Sequence, residues 1–131
     1  MKKIFMACLM AIFALTAMAQ KPVISFEEKL YNFGQVPEDG GRVSHVFVFT
    51  NTGDATLILT NVRASCGCTT PSWPKEPVEP GQQAEITVTY NPAGRPGGFT
   101  KTVFITANTE PDVTEIKITG EVLPKATEEN N

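Results

Sequence analysis

The sequence predicts an all-β sandwich. Short runs of β-branched and aromatic residues recur about every ten residues, and Gly, Pro, Asn and Asp punctuate them. No window sustains the 3.6-residue period of an amphipathic helix.

Residues 1–19 stand apart from that pattern. Lys2 and Lys3 precede an apolar run over 4–15, and Ala17-Met18-Ala19 supplies the small-x-small pattern that signal peptidase cuts. The run is short for a bilayer span of about 20 residues. It reads as an export signal, with the mature chain starting at Gln20 and no membrane span after cleavage. Cys8 lies inside the run and Gln20 follows the cut, so no lipid-carrying cysteine is expected there. The expected location is periplasmic or secreted.

Cleavage leaves 112 residues, enough for one domain with its own core. It also removes two of the 11 basic residues and none of the 14 acidic ones, for a net charge near −5. A chain of that balance has no basic stripe for phosphates, which argues against nucleic acid and against anionic membrane surfaces.

Seven strands follow in order: 23–26, 30–36, 43–50, 56–62, 84–90, 99–107 and 113–122. Pro37-Glu38-Asp39-Gly40-Gly41 turns the chain between the second and third. Ile86, Val88 and Tyr90 alternate with Thr87 and Thr89, so one side of that strand is expected inside and the other wet. Phe99, Val103 and Ile105 mark an inner face in the next strand, as do Ile116 and Ile118 in the last. In 43–50 both faces are apolar, with Phe47 and Phe49 on one and Val46 and Val48 on the other. Either it is a central strand or its outer face meets a partner. The stretch 65–81 reads as an irregular crossover between two sheets, and 124–131 as a disordered tail, so the domain spans 20–123.

One segment stands out: Ser65-Cys66-Gly67-Cys68-Thr69-Thr70-Pro71-Ser72-Trp73-Pro74. Cys66 and Cys68 are the only cysteines left after the leader, and three readings of them are open. An oxidising compartment favours a disulfide, with Gly67 relieving a tight ring. Chain entropy gives so short a loop only about 1.6 kcal/mol, so the bond would act as a rigid turn or a redox handle. Alternatively, two thiolates can chelate copper or zinc, with His45, the single histidine, as a remote candidate for a further ligand. Or the thiols merely pack. Thr69, Pro71 and Trp73 are candidates for an interaction loop. Asn51 and Asn108 each follow a strand and are expected to turn the chain through side-chain hydrogen bonds.

No nucleophile elbow, phosphate loop or His-Glu-x-x-His motif is present in the sequence. No catalytic residue is assigned and no cofactor is required, copper or zinc apart. The function expected is non-catalytic binding or scaffolding, with a metal or thiol-redox role through Cys66 and Cys68 as the alternative.

The chain also resembles the bacterial DUF1573 family. The resemblance rests on Tyr31-Asn32-Phe33-Gly34, on 45–53, on Ser65-Cys66-Gly67-Cys68-Thr69, on Val88-Thr89-Tyr90-Asn91-Pro92 and on 118–122. It implies an exported Ig-like sandwich related to the ASPM, SPD-2 and Hydin-type domains. Relatives of that kind are binding or scaffold modules, a fold-level analogy. The edge strands of a sandwich and the 65–81 loop are the surfaces expected to meet a partner, an envelope protein or a glycan.

The intact mass of the exported protein is expected to correspond to a chain starting at Gln20 with no lipid adduct. A product that keeps 1–19 would overturn the export reading.

Overall fold

The computed structural model describes residues 20–126; the leader read at 1–19 and tail residues 127–131 lie outside the described residues. Eight strands form: β1 (Ile24–Phe26), β2 (Leu30–Pro37), β3 (Val43–Asn51), β4 (Leu59–Ala64), β5 (Thr69–Ser72), β6 (Gln83–Tyr90), β7 (Gly97–Ala107) and β8 (Val113–Leu123). They build two four-stranded sheets, ordered β1-β3-β6-β5 and β2-β8-β7-β4. Lettered in sequence without β2, the strands run A-B-E-D in one sheet and C-F-G in the other, the order of an immunoglobulin constant-type sandwich. β2 adds to the second sheet by pairing in parallel with β8.

All seven expected strands are present. The eighth, β5, lies inside the stretch read as irregular. It escaped because it has four residues with Pro71 among them, a residue that sheets tolerate mainly at edges, and β5 is an edge strand. The strand expected from 56 starts only at Leu59. Leu57 instead makes an isolated two-bond bridge with Val78, N···O 2.9 and 2.8 Å.

Alternation decides the core. Phe47, Phe49, Ile86, Val88 and Tyr90 from one sheet face Phe99, Val103, Ile105, Ile116, Ile118 and Val122 from the other, all buried. Each such side chain contributes about 1.5–3 kcal/mol on leaving water. Tyr90 stacks on Phe99 with ring centroids 4.0 Å apart. The Phe99 ring lies against Gly120, where an added Cβ would come within 2.8 Å of its Cζ atom. Gly120 is therefore glycine because the ring needs its place.

β3 lies between β1 and β6, so the central-strand reading holds. Its outer face is still open, with Val46 42% exposed. Thr87 and Thr89, expected wet, are half-buried because β6 is flanked by β3 and β5. Thr89 Oγ1 shares a 2.7 Å hydrogen bond with Ser44 Oγ across the ladder. Of the expected disordered tail, Pro124 to Ala126 are described and carry no strand; the Lys125 N–H donates to Glu38 Oε2 at 2.9 Å.

Asn51, at the end of β3, is a fully buried polar side chain at 0% exposure. Its Nδ2 donates to the carbonyls of Ala55 (2.8 Å) and Val78 (2.9 Å). Its Oδ1 accepts from the N–H of Val23 (3.3 Å) and of Gly53 (3.0 Å). Asn108 plays a lesser version at the surface: Oδ1 accepts from the Ile58 N–H (2.8 Å) and Nδ2 donates to the Thr56 carbonyl (2.9 Å). Each does more than turn its own loop.

Asn51→Ala is expected to cost about 3 kcal/mol in urea unfolding, because it removes four hydrogen bonds at once and leaves a gap at a fully buried position. Asn108→Ala is expected to cost about 1 kcal/mol, since water can replace its bonds. Equal losses would contradict the role given to burial.

Candidate functional site

The connection from β4 to β5 carries the chain from one sheet to the other, and Cys66 and Cys68 lie on it. Their sulfurs are at disulfide-bonding distance, with Cα atoms 5.2 Å apart. Cys68 is only 4% exposed and joins the core, while Cys66 is half-buried beside it. The loop is tied down at both ends. The Ser65 N–H donates to the Thr102 carbonyl (2.9 Å), and the Thr102 N–H to Ser65 Oγ (3.2 Å). The Asn91 N–H donates to the Cys68 carbonyl (2.9 Å), and the Thr69 N–H to that of Cys66 (3.2 Å). The loop is thus a rigid corner seated on β7 and on the β6–β7 connection.

Beyond Cys66 and Cys68 themselves, an added Cβ at Gly67 would meet nothing within 4 Å, and its φ is not positive, so any need for glycine there comes from the small ring alone. Thr69, expected to face a partner, is 4% exposed instead. Alternation along β5 turns it inward toward Cys68, leaving Thr70 and Ser72 exposed. Pro71 and Trp73 are half-buried, and Trp73 packs against the core.

His45 belongs to a different cluster. Its ring stacks on Tyr31 with centroids 3.5 Å apart and meets Phe47 edge-on at 4.9 Å. Its Nε2 contacts the Glu28 carboxylate. β6 separates β3 from β5, so the fold does not bring His45 to the cysteines. No group of three or more His, Cys, Asp or Glu side chains placed to hold a metal ion occurs among the described residues. At the cysteine end of the sandwich, burial pushes the Tyr90 hydroxyl above the usual tyrosine pKa, and the charge of Arg95 works against that rise.

The outer face of the first sheet holds a feature the sequence did not announce. An open groove of about 610 Å³ is lined by Trp73 together with Glu27, Val48, Gln83, Glu85 and Thr87. Glu27 directly follows β1, and Glu85 is an exposed position of β6. Their approach to Trp73 depends on which strands are neighbours, and local sequence does not carry that information.

Residues 24–122 match the model of the family described as "Protein of unknown function (DUF1573)". The chain belongs to the DUF1573 family. The Ser65-Cys66-Gly67-Cys68-Thr69 corner lies within the matched DUF1573 region. No curated protein matches this DUF1573 chain in sequence. Among solved structures it is similar to a protein of unknown function from Porphyromonas gingivalis W83, at 23% identity and TM-score 0.70, over 82% of this chain and 50% of that one. It is similar to the secreted serine protease VesC of Vibrio cholerae at 17% identity and TM-score 0.59, over 81% of this chain and 24% of that one. It is also similar to the E. coli chaperone DraB at 8% identity and TM-score 0.55, over 82% and 58%. The chain spans half the length of the first of these and about a quarter of the second. At such identities the likeness shows the fold that the DUF1573 domain shares with them.

Before reduction, alkylation is expected to label neither cysteine. After reduction, Cys66 should label faster than Cys68, because only Cys66 reaches solvent appreciably. Labelling of both in untreated protein would show that the pair is open.

Proposed function

We propose that this DUF1573 domain is a non-catalytic binding and scaffold module, exported to the bacterial cell envelope, that engages a partner protein. The observation that carries this reading is the position of the cysteine corner between two open sheet edges. β4 ends one sheet and β5 ends the other, so each pairs on one side only. An unpaired edge presents backbone N–H and C=O groups that a partner strand can continue. The corner joining these edges is held by hydrogen bonds and by the Cys66–Cys68 pair, so little ordering is needed on binding.

Two further points support it. The space between the sheets is filled by side chains of the core, as suits a scaffold whose surface does the work. The fold is shared with the chaperone DraB and with a chain of the CsuC–CsuE chaperone–tip adhesion subunit complex of Acinetobacter baumannii, at 8% and 11% identity. Export rests on the leader at 1–19. No helix among the described residues is long and apolar enough to cross a membrane.

A thiol-redox role is the second reading. It is favoured by the asymmetry of the pair, with Cys66 within reach of a reductant and Cys68 inside the core. Loss of function in Cys66→Ser together with Cys68→Ser, with stability retained, would select it.

The test uses photo-crosslinking side chains placed at Thr70 on β5 and at Asn61 on β4, with Lys117 in the middle of the second sheet as control. A discrete protein adduct from the edge positions and none from Lys117 is the expected result in host cells. No adduct at either edge would remove the proposal.

A further inference from the structure

Trp73 follows the last residue of β5 and lines the groove on the outer face of the first sheet. The indole packs against the core, and the Lys75 ammonium lies 3.2 Å from the centre of its ring. An aromatic face attracts a cation through its quadrupole, so the ring already holds an ammonium belonging to the chain itself. Lys75 is otherwise exposed. Glu85, beside Val48 across the β3–β6 ladder, and Glu27 put two carboxylates on the same groove. Neither has an ion-pair partner among the described residues. The whole chain carries a net charge of −3.

These features select the chemistry of an occupant. A neutral sugar would need a bare ring face and would have to displace an ammonium to get it. A second cation exchanges with Lys75 on equal terms and also meets the two free carboxylates. Gln83 and Thr87 add hydrogen-bonding groups along the same wall. The groove adjoins the edge strand β5, where an extended chain can run.

We propose that this groove receives a lysine or arginine side chain from an extended segment of the partner protein, with Lys75 as the internal placeholder that the incoming cation displaces. This rests on the reading of the chain as a protein-binding domain and gives that partner a charge and a seat.

Trp73 is the single tryptophan of the chain, so its fluorescence reports on the groove directly. Hexalysine is titrated into the exported protein, with hexaserine and cellohexaose as separate arms. Hexalysine is expected to give a saturable change that weakens as salt is added, and the other two none. Combining Glu27→Gln with Glu85→Gln should weaken binding about fivefold. Lys75→Ala should tighten it about threefold by removing the internal competitor. All three positions are exposed, so circular dichroism should be unchanged in the variants. A silent hexalysine titration, or a Lys75→Ala variant that binds no more tightly, overturns the proposal. So does a saturable response to cellohexaose, which would assign the groove to glycan. Edge crosslinks from Thr70 and Asn61 that persist beside a silent groove would refute this inference and leave the binding-domain reading standing. Loss of the crosslinks as well would refute both.

Discussion

One buried amide joins the parts of this fold that the β ladders leave unjoined. The Asn51 side chain binds the segment before β1, the turn after β3 and the strand-like stretch at Val78. Its own backbone is taken as well: its N–H donates to the Gln82 carbonyl (3.0 Å), and its carbonyl accepts from the Gly81 N–H (2.8 Å). A buried amide is tolerable only when its donors and acceptor are met, and here they are met by backbone groups of three separate segments. The same contacts hold Leu57 and Val78 in register, which closes one end of the sandwich.

The opposite end is closed by packing. Phe99 covers Gly120 and stacks on Tyr90, and Tyr90 pairs in register with Thr69 of β5. Cys68 enters the same core one residue earlier. The cysteine corner is therefore anchored by buried side chains as well as by its hydrogen bonds. That rigidity leaves few rotamers to be frozen on contact with the proposed partner. It also explains why Thr69 serves the fold and its neighbours Thr70 and Ser72 face outward.

The chain leaves its first sheet early. β1 pairs with β3, and after Glu27 to Lys29 the next strand joins β8 in the other sheet. The contact of Glu28 with His45, and the 2.7 Å bond from the Lys117 N–H to the Lys29 carbonyl, hold that switch at both ends. His45 is thus committed to the strand exchange, with Tyr31 stacked over it. The outer face of the first sheet stays open along β3, where Val46 is 42% exposed and Val48 lines the Trp73 groove.

How much of this was legible follows from the range of the forces involved. Alternation of apolar and polar residues is a local property, so seven of the eight strands, the inner faces of the last three and the all-β class stood in the sequence. The cysteine corner was legible too, because two thiols two residues apart are conspicuous without any fold. β5 was not, because its proline is acceptable only at an edge, a fact that depends on its neighbours. The burial of Thr69, the distance of His45 from the cysteines and the meeting of Glu27, Glu85 and Trp73 were likewise out of reach. Each depends on which strands lie side by side, and the same alternating strands can be ordered in many ways. Sequence alone determined where seven of the eight strands run and which side chains turn inward on the last three. Tertiary structure decided which strands are edges and which residues share a surface, because pairing joins segments far apart along the chain.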